Sequence, residues 1–279
     1  MFHTRLRVVC ESGFSELLIA EIAEVGFDSF LETDDGFEAY AEMENFNREA
    51  LQHIKEKYEV QTTLAFHEDK IQKQNWNELW EKSYHAIVVD DRCLIRAEFH
   101  KIEETYPYEL IITPKMSFGT GHHQTTYLMI KNQMDIDHRN KQVMDAGCGT
   151  AILSVMASML GAKKIEAFDI DEWSITNSMD NIALNHCTNI HHQHGKLSEL
   201  HFLEPFDIIL ANINKNVLLD EIKLYSDHLV PEGELLMSGF YTHDIADLAK
   251  AAERYGLFEK RRDEREGWAC VVFVKAARE

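Results

Sequence analysis

Long apolar runs are missing from the sequence, and none approaches the roughly 18 residues that a membrane span needs. The first residues, MFHTRLRVVCESGF, turn acidic before any apolar secretory core begins. Cysteine is sparse, with no CxxC pair among Cys10, Cys93, Cys148, Cys187 and Cys270. Scattered single cysteines argue against a disulfide framework or a cysteine zinc site and suit a reducing compartment. We therefore expect a cytoplasmic protein.

Positive charge is also scarce, because 28 Lys and Arg face 48 Asp and Glu for a net charge of −20. This balance disfavours tight binding to a nucleic-acid backbone but allows a basic protein or a small molecule as partner. Residues 1–70 hold 16 acidic against 6 basic side chains, which is half of the excess. This acidic stretch is either an ordinary solvated surface or a docking face for a basic partner.

The first segment, 1–70, predicts a small α+β domain. A strand over 4–10 and a helix over 13–26 precede a hairpin over 27–43, whose turn is Asp35-Gly36. A second helix over 47–58 and a strand over 60–71 complete the order strand, helix, hairpin, helix, strand. This order is typical of a ferredoxin-like sandwich.

A polar helical stretch, KQNWNELWEKSYH, follows and predicts a linker helix within 71–85. Its rings recur at four-residue intervals, as Trp76, Trp80 and Tyr84, and packing against the nearest domain explains them. No segment rich in Pro, Gly or Ser is present, so the connection is expected to be semi-rigid.

From residue 86 to 279 strand-like and helical segments alternate along the chain. QVMDAG, KIEAFDID and FDIILANI are apolar strands, and each is followed by a helical pattern such as ILSVMASMLGA. Alternation of this kind predicts a doubly wound α/β sheet that binds its ligand at the carboxyl ends of the strands.

The turn VMDAGCGTAIL ends a strand at Asp145 and passes through Gly147 and Gly149 into a helix. Glycines there allow the backbone to approach a ligand closely. The pattern is D-x-G-x-G-x-[GA], which differs from the G-x-G-x-x-G of dinucleotide-binding proteins. A glycine turn alone is weak evidence, and its value depends on what the neighbouring strands deliver.

Two neighbouring strands end in side chains suited to the same ligand. Asp169 lies 22 residues beyond Gly147, about the spacing at which a carboxylate meets ribose hydroxyls, whereas Asp171 fits a helix N-cap. The strand FDIILAN ends in Asn212, which can accept a hydrogen bond from an amine. The alternative for Asn212 is a structural cap of the next helix.

These features together resemble the class I S-adenosylmethionine-dependent methyltransferases. The loop FGTGHHQTT (118–126) is similar to the F-G-T-G-x-H-P-T-T signature of the PrmA family, the bacterial methyltransferases of ribosomal large-subunit protein eleven. The resemblance covers roughly residues 73–279, and the acidic first domain matches that family's substrate-recognition domain in kind. It implies a Rossmann-like seven-stranded methyltransferase domain over 86–279, preceded by the ferredoxin-like domain and the linker helix.

The resemblance also implies roles for individual residues, with S-adenosyl-L-methionine as cofactor. The cofactor-contacting positions of the family fall on Thr126, Gly147, Asp169 and Asn212, and its mobile loop falls on Phe118, Gly119, Thr120 and Gly121. We add Asp145 and Gly149 from the glycine turn, and we expect Asn212 to be the catalytic residue. Ala151 replaces the third glycine and Gln124 replaces the proline of the signature, and neither change removes a group that the reaction needs.

The histidines at 191, 192 and 194 cluster without a carboxylate or cysteine partner that we can identify, so we predict a solvated loop and no metal site. His123 in the signature loop is expected to order that loop and not to act as a base.

The sequence thus predicts methylation of amines, the N-terminal α-amine and lysines, on a basic ribosomal protein. Two alternatives stay open. A nucleic-acid amino-methyltransferase would prefer N-P-P-[YF] where this chain has Asn212-Ile213-Asn214, and a binding protein could keep the fold without catalysis.

Overall fold

The protein divides into two units, Met1–Tyr84 and His85–Glu279. The computed structural model describes residues 2–33, 35–42, 46–60, 62–72, 84–113 and 118–277. The predicted linker helix within 71–85 lies mostly outside these residues. The strand that closes the first unit reaches Gln72.

The first unit has a four-stranded antiparallel sheet with two helices. In chain order its elements are β1 (Phe2–Val9), α1 (Ser12–Glu24), β2 (Ser29–Thr33), β3 (Gly36–Glu42), α2 (Arg48–Tyr58) and β4 (Ala65–Gln72). The strand order is β2-β3-β1-β4, which confirms the ferredoxin-like prediction. Leu18 and Ile22 of α1 and Leu51 and Ile54 of α2 bury their side chains in the core that covers this sheet.

The second unit begins with a small sheet and continues as alternating strands and helices. The small sheet contains β5 (Ile87–Val89), β6 (Cys93–Arg96) and β7 (Tyr108–Ile111). The following elements are α3 (Gln124–Gln133), β8 (Gln142–Ala146), α4 (Ile152–Met159), β9 (Lys164–Asp169), α5 (Glu172–Leu184), β10 (Ile190–His194), β11 (Phe206–Asn212), α6 (Lys215–His228), β12 (Leu229–Tyr241), α7 (Ile245–Glu253), β13 (Leu257–Arg265) and β14 (Trp268–Lys275).

Strands β8 to β14 form one sheet in the order β10-β9-β8-β11-β12-β14-β13. Neighbouring strands from β10 to β12 are parallel, and β14 is antiparallel to both β12 and β13. The predicted Rossmann-like α/β fold with seven strands is therefore confirmed. The order reverses between β8 and β11, and such a switch point opens a crevice at the carboxyl ends of the strands.

Alternating side chains of the sheet enter two separate cores. Val143 packs with helices α3 and α4, whereas its neighbour Met144 packs with α6 and α7. The sheet is covered on both faces because successive side chains of a strand point to opposite sides. We call these the α3–α4 core and the α6–α7 core.

The two edge strands of this sheet differ from the sequence interpretation. The solvated loop predicted for His191, His192 and His194 is wrong, since these residues pair with β9 as strand β10. Strand β13, with the sequence LFEKRRDER, was not predicted at all. Both strands are polar because each pairs on one side only, and edge strands of this kind discourage pairing with other chains.

No helix within the described parts of the chain is both long and apolar enough to cross a membrane. All five cysteines are free, and four of them are buried.

Candidate functional site

A cavity of about 520 Å³ opens at the carboxyl ends of the central strands. Its floor is formed by the turn after β8, the ends of β9 and β11, and the segment after β10. The residues that line it are Phe118, His123, Thr125, Gly147, Gly149, Phe168, Asp169, Ile170, Asp171, Ser174, Lys196, Leu197, Asn212, Ile213, Asn214, Val217, Glu221, Gly239 and Trp268. The cavity lies at the switch point of the sheet, where a ligand of a doubly wound fold binds.

The glycine turn requires glycine at both positions for steric reasons. Gly147 has φ +67° and Gly149 has φ +53°, in the left-handed region. A Cβ atom on Gly147 would lie 2.5 Å from Cγ2 of Ile213, and one on Gly149 would lie 2.4 Å from the carbonyl oxygen of Phe118. The backbone at this turn is therefore packed too closely for a side chain, and it forms part of the cavity wall itself.

Asp145 lies beneath this turn, fully buried, and does not line the cavity. Its Oδ2 accepts hydrogen bonds from the Ser154 backbone N–H at 3.0 Å and from the Ser154 hydroxyl at 2.6 Å. Its Oδ1 has no partner among the described residues. Burial raises the pKa of Asp145 to about 7, against the opposing effect of the two bonds from Ser154, and the nearby charge of Asp169 adds to the rise.

Asp169 ends β9 with its carboxylate held on both oxygens by the backbone. Oδ2 accepts from Gly149 N–H at 2.9 Å, and Oδ1 accepts from Asp171 N–H at 3.0 Å. Each carboxylate oxygen has more than one acceptor site, so both can still receive a hydroxyl. Asp171 accepts from the N–H groups of Trp173 and Ser174 at the start of α5, which confirms its prediction as an N-cap.

Asn212 ends β11 and lines the cavity with a side chain that lacks a partner. Its Oδ1 is buried and has no hydrogen bond within the described part of the chain. The alternative that Asn212 caps the next helix is wrong, because the cap of α6 is Asn214, whose Oδ1 accepts from Val217 N–H at 3.2 Å. A buried amide oxygen without a partner is costly, and a ligand donor would remove that cost.

The loop 118–126 is fastened to the turn after β8 by two hydrogen bonds. Thr150 N–H donates to the carbonyl of Phe118 at 3.0 Å, and the Thr150 hydroxyl donates to the carbonyl of Gly119 at 2.6 Å. His123 is the N-cap of α3, since its Nδ1 accepts from Thr125 N–H at 3.2 Å. Burial lowers the pKa of His123. The imidazole therefore orders the loop, as expected from the sequence.

An aromatic wall borders the cavity on the side of this loop. The rings of Phe118 and His123 have centroids 5.4 Å apart, and the edge of His123 meets Trp268 at 4.6 Å. Trp268 in turn stacks on Tyr241 at 4.1 Å. Trp268 packs against the α3–α4 core, so this wall belongs to that face of the sheet.

The predicted site residues fall into two groups. Phe118, Gly147, Gly149, Asp169 and Asn212 line the cavity together. Gly119, Thr120, Gly121, Thr126 and Asp145 do not, and Thr126 is buried with an Oγ1 that has no partner among the described residues.

Several lining residues were missed by sequence reasoning. Trp268 begins a strand whose apolar run gave no sign of a cavity, and Lys196 follows the unrecognised strand β10. Val217 and Glu221 are four residues apart on α6, and that spacing would have placed them on one face.

Comparisons with known proteins agree on one family. The profile described as ribosomal protein L11 methyltransferase (PrmA) matches residues 19–276. Relatives named ribosomal protein L11 methyltransferase include one from Bacteroides fragilis, 41% identical over 271 residues with 95% of each chain covered. One from Phocaeicola vulgatus is 40% identical over 267 residues, again with 95% of each chain covered. The solved structure of ribosomal protein L11 methylase from Lactobacillus delbrueckii subsp. bulgaricus matches with a TM-score of 0.65 at 27% identity, over 69% of this chain and 100% of that chain.

Proposed function

Since the chain belongs to the ribosomal protein L11 methyltransferase family, we propose that it transfers the methyl group of S-adenosylmethionine to amines of ribosomal protein L11. The acceptors are the N-terminal α-amine and lysine side chains. The observation that carries this proposal is the buried, unpartnered Oδ1 of Asn212 at the cavity wall. It is an acceptor at the edge of the sheet where a ligand binds, and an amine can donate to it.

The cavity fits S-adenosylmethionine in its donor and acceptor chemistry. The carboxylate of Asp169 offers two oxygens, already fixed by backbone N–H groups, to the two vicinal hydroxyls of a ribose. Gly147 and Gly149 line the cavity with backbone alone, against which the aminoacyl portion can lie. Phe168 and Leu197 supply apolar surface for a base. When bound, the cofactor supplies an electrophilic methyl group on a sulfonium.

The residues of this chain contribute mainly by positioning, which can account for several kcal/mol of a barrier. Asn212 accepts a hydrogen bond from the amine. This contact orients the amine so that the lone pair on its nitrogen points toward the methyl group of the cofactor. The imidazole of His123 is engaged with Thr125 as a helix cap, so we assign it to loop order.

No dedicated base is required for the N-terminal amine. With ordinary pKa values of about 7.7–8.0 for an α-amine and about 10.4 for lysine, the neutral form at pH 7 costs about 1 and about 4–5 kcal/mol respectively. The lysine cost can be reduced by desolvation in the cavity, because burial disfavours the ammonium.

We assign substrate docking to the acidic first domain, residues 1–70, with 71–85 as a linker and 86–279 as the methyltransferase domain. The described ion pairs of this domain use Arg5, Arg7, Arg48 and Lys57. With 16 acidic side chains in 1–70 against 6 basic ones, most of the negative charge is left for a basic partner. Contact with nucleic acid is not expected, and the free thiols suit the cytoplasm.

The test is mass spectrometry of purified L11 incubated with the protein and isotope-labelled S-adenosylmethionine. Labelled methyl groups are expected on amines of L11 and not on ribosomal RNA. Asn212→Ala is expected to slow turnover about a hundredfold, in the range seen when one polar group of an active site is removed. Asn216→Ala is the matched control, since this asparagine is exposed four residues further along the chain. Full turnover by Asn212→Ala would refute the assigned role.

A further inference from the structure

One wall of the cavity carries a fixed carboxylate that the proposed reaction does not use. Glu221 of α6 lines the cavity, and its Oε2 accepts a hydrogen bond of 2.5 Å from the hydroxyl of Tyr225. Tyr225 is fully buried in the α6–α7 core. The buried phenol therefore holds the carboxylate in one orientation and leaves Oε1 available as an acceptor.

Glu221 and the aromatic wall are attached to different cores of the sheet. Helix α6 packs through Leu218 and Ile222 into the same core as Phe168 and Leu197, which both line the cavity. Trp268 packs against the α3–α4 core, on the other face of the sheet. The cavity lining thus comes from both faces of the sheet, with Glu221 near Phe168 and Leu197 of the α6–α7 core and the aromatic wall near the α3–α4 core.

The charge of Glu221 is not neutralised by a described ion pair, although Lys196 lines the same cavity. Lys196 is exposed at the rim, and no contact between the two side chains is present among the described residues. A fixed anionic acceptor inside a partly apolar pocket selects a ligand group that donates a hydrogen bond and penalises one that accepts.

We propose that Glu221 recognises the exocyclic amino group of adenine and so makes the cavity selective for adenine nucleosides. This inference rests on the proposed function, in which Asp169 holds the ribose and Asn212 faces the amine. The base then extends toward Phe168 and Leu197, which share a core with the helix that carries Glu221. Tyr225 acts as a positioning residue for the carboxylate. Hypoxanthine has a carbonyl at the same ring position. Its carbonyl oxygen would face the carboxylate oxygen of Glu221, and both atoms are hydrogen-bond acceptors.

The experiment is calorimetric binding of two ligands to the full-length protein, S-adenosylhomocysteine and S-inosylhomocysteine. These ligands differ at one edge of the base, where adenine has a 6-amino group beside an acceptor N1 and hypoxanthine has a 6-carbonyl group beside an N1–H donor. The readout is the ratio of their dissociation constants, so that general damage to the pocket cancels. The wild-type protein is expected to favour the adenine ligand by at least about tenfold, because a charge-assisted hydrogen bond is replaced by a repulsive contact.

Glu221→Gln is expected to reduce this ratio at least about tenfold, since an amide can donate to the carbonyl of hypoxanthine. Tyr225→Phe is expected to reduce the ratio by a smaller factor than Glu221→Gln does. The double variant is expected to have the same ratio as Glu221→Gln alone. Asp220→Asn, which changes an exposed neighbour, is the matched control and keeps the wild-type ratio. Lys196→Met is expected to keep it as well.

If Glu221→Gln keeps the wild-type ratio of dissociation constants, the inference is overturned. If Lys196→Met brings the two dissociation constants together, the selectivity belongs to the lysine instead. If both ligands bind wild type equally well, the adenine selectivity is absent while the proposed function stands. If wild type binds neither ligand, the proposed function fails first and the inference fails with it.

Discussion

Replacing Asp145 by Asn tests whether the carboxyl group beneath the glycine turn is neutral in the folded protein. The side chain is fully buried, and its pKa is raised from 3.8 to about 7 by burial. Between these values the folded protein keeps a proton on Asp145 that the unfolded chain has released. The free energy of unfolding contributed by this group is therefore highest in acid and falls as pH rises toward 7 and above.

The size of the effect follows from the two pKa values. The full difference corresponds to about 4 kcal/mol at about 1.36 kcal/mol per pH unit. Only part of it falls in a practical range, and integration from pH 5.5 to pH 8.5 gives about 2 kcal/mol. Asparagine keeps an oxygen for the two bonds from Ser154 but leaves a buried amide N–H unpaired, at a cost of about 1–3 kcal/mol that does not depend on pH.

The assay is urea unfolding of both proteins at pH 5.5 and 8.5, which lie above the sequence pI of about 5.1. The stability of the variant relative to wild type should rise by about 2 kcal/mol between these pH values. Asp227→Asn, which alters an exposed ion pair with Lys223, is the control and should show a constant difference. A constant difference for Asp145→Asn would mean that the buried carboxyl is ionised at both pH values and that the reasoning is wrong.

Three further outcomes are expected. Gly149→Ala should lower the free energy of unfolding in urea by about 1–3 kcal/mol, because its Cβ would meet the Phe118 carbonyl at 2.4 Å. Gly267→Ala is the control and should lower the free energy of unfolding by less, since no atom lies within 4 Å of its Cβ. Asp169→Asn should weaken S-adenosylhomocysteine binding at least about tenfold in calorimetry, and the loss should be smaller for a 2′-deoxyribose analogue that makes one bond fewer. Raising salt from about 0.05 to 0.5 M should increase the KM for L11 but leave the Kd for S-adenosylhomocysteine unchanged, because only docking to the acidic domain relies on exposed charge; equal salt effects on both constants would contradict that docking.

The fold of both units could be predicted from sequence because most of their elements carry a local pattern of their own. In the strand of Val143 and Met144 these two successive side chains are both apolar, since both faces of the sheet are covered. The strand of His191 has no such pattern, because an edge strand owes its conformation to pairing with β9 and not to its own apolar side chains. Charged β13 escaped prediction for the same reason at the opposite edge.

The site was predictable where a residue ends a strand. Asp169 and Asn212 could be placed because the carboxyl ends of parallel strands meet at one edge, so a short segment of sequence gives both the strand and its last side chain. Trp268 and Glu221 could not be placed in this way. Trp268 reaches the cavity from the start of β14 within the sheet, and Glu221 reaches it from a helix packed on the sheet. Nothing in their local sequence says which side of those elements faces the ligand.

This difference separates two parts of the cavity wall. The ribose and amine contacts rest on residues fixed by the ends of β9 and β11, so they depend on little besides the sheet itself. Glu221 and Trp268 depend on two separate cores, since Glu221 is held from the α6–α7 core and Trp268 from the α3–α4 core. Because the two cores lie on opposite faces of the sheet, a change in one core need not disturb packing in the other. The contact proposed for Glu221 can therefore be altered without disturbing the packing that holds the aromatic wall.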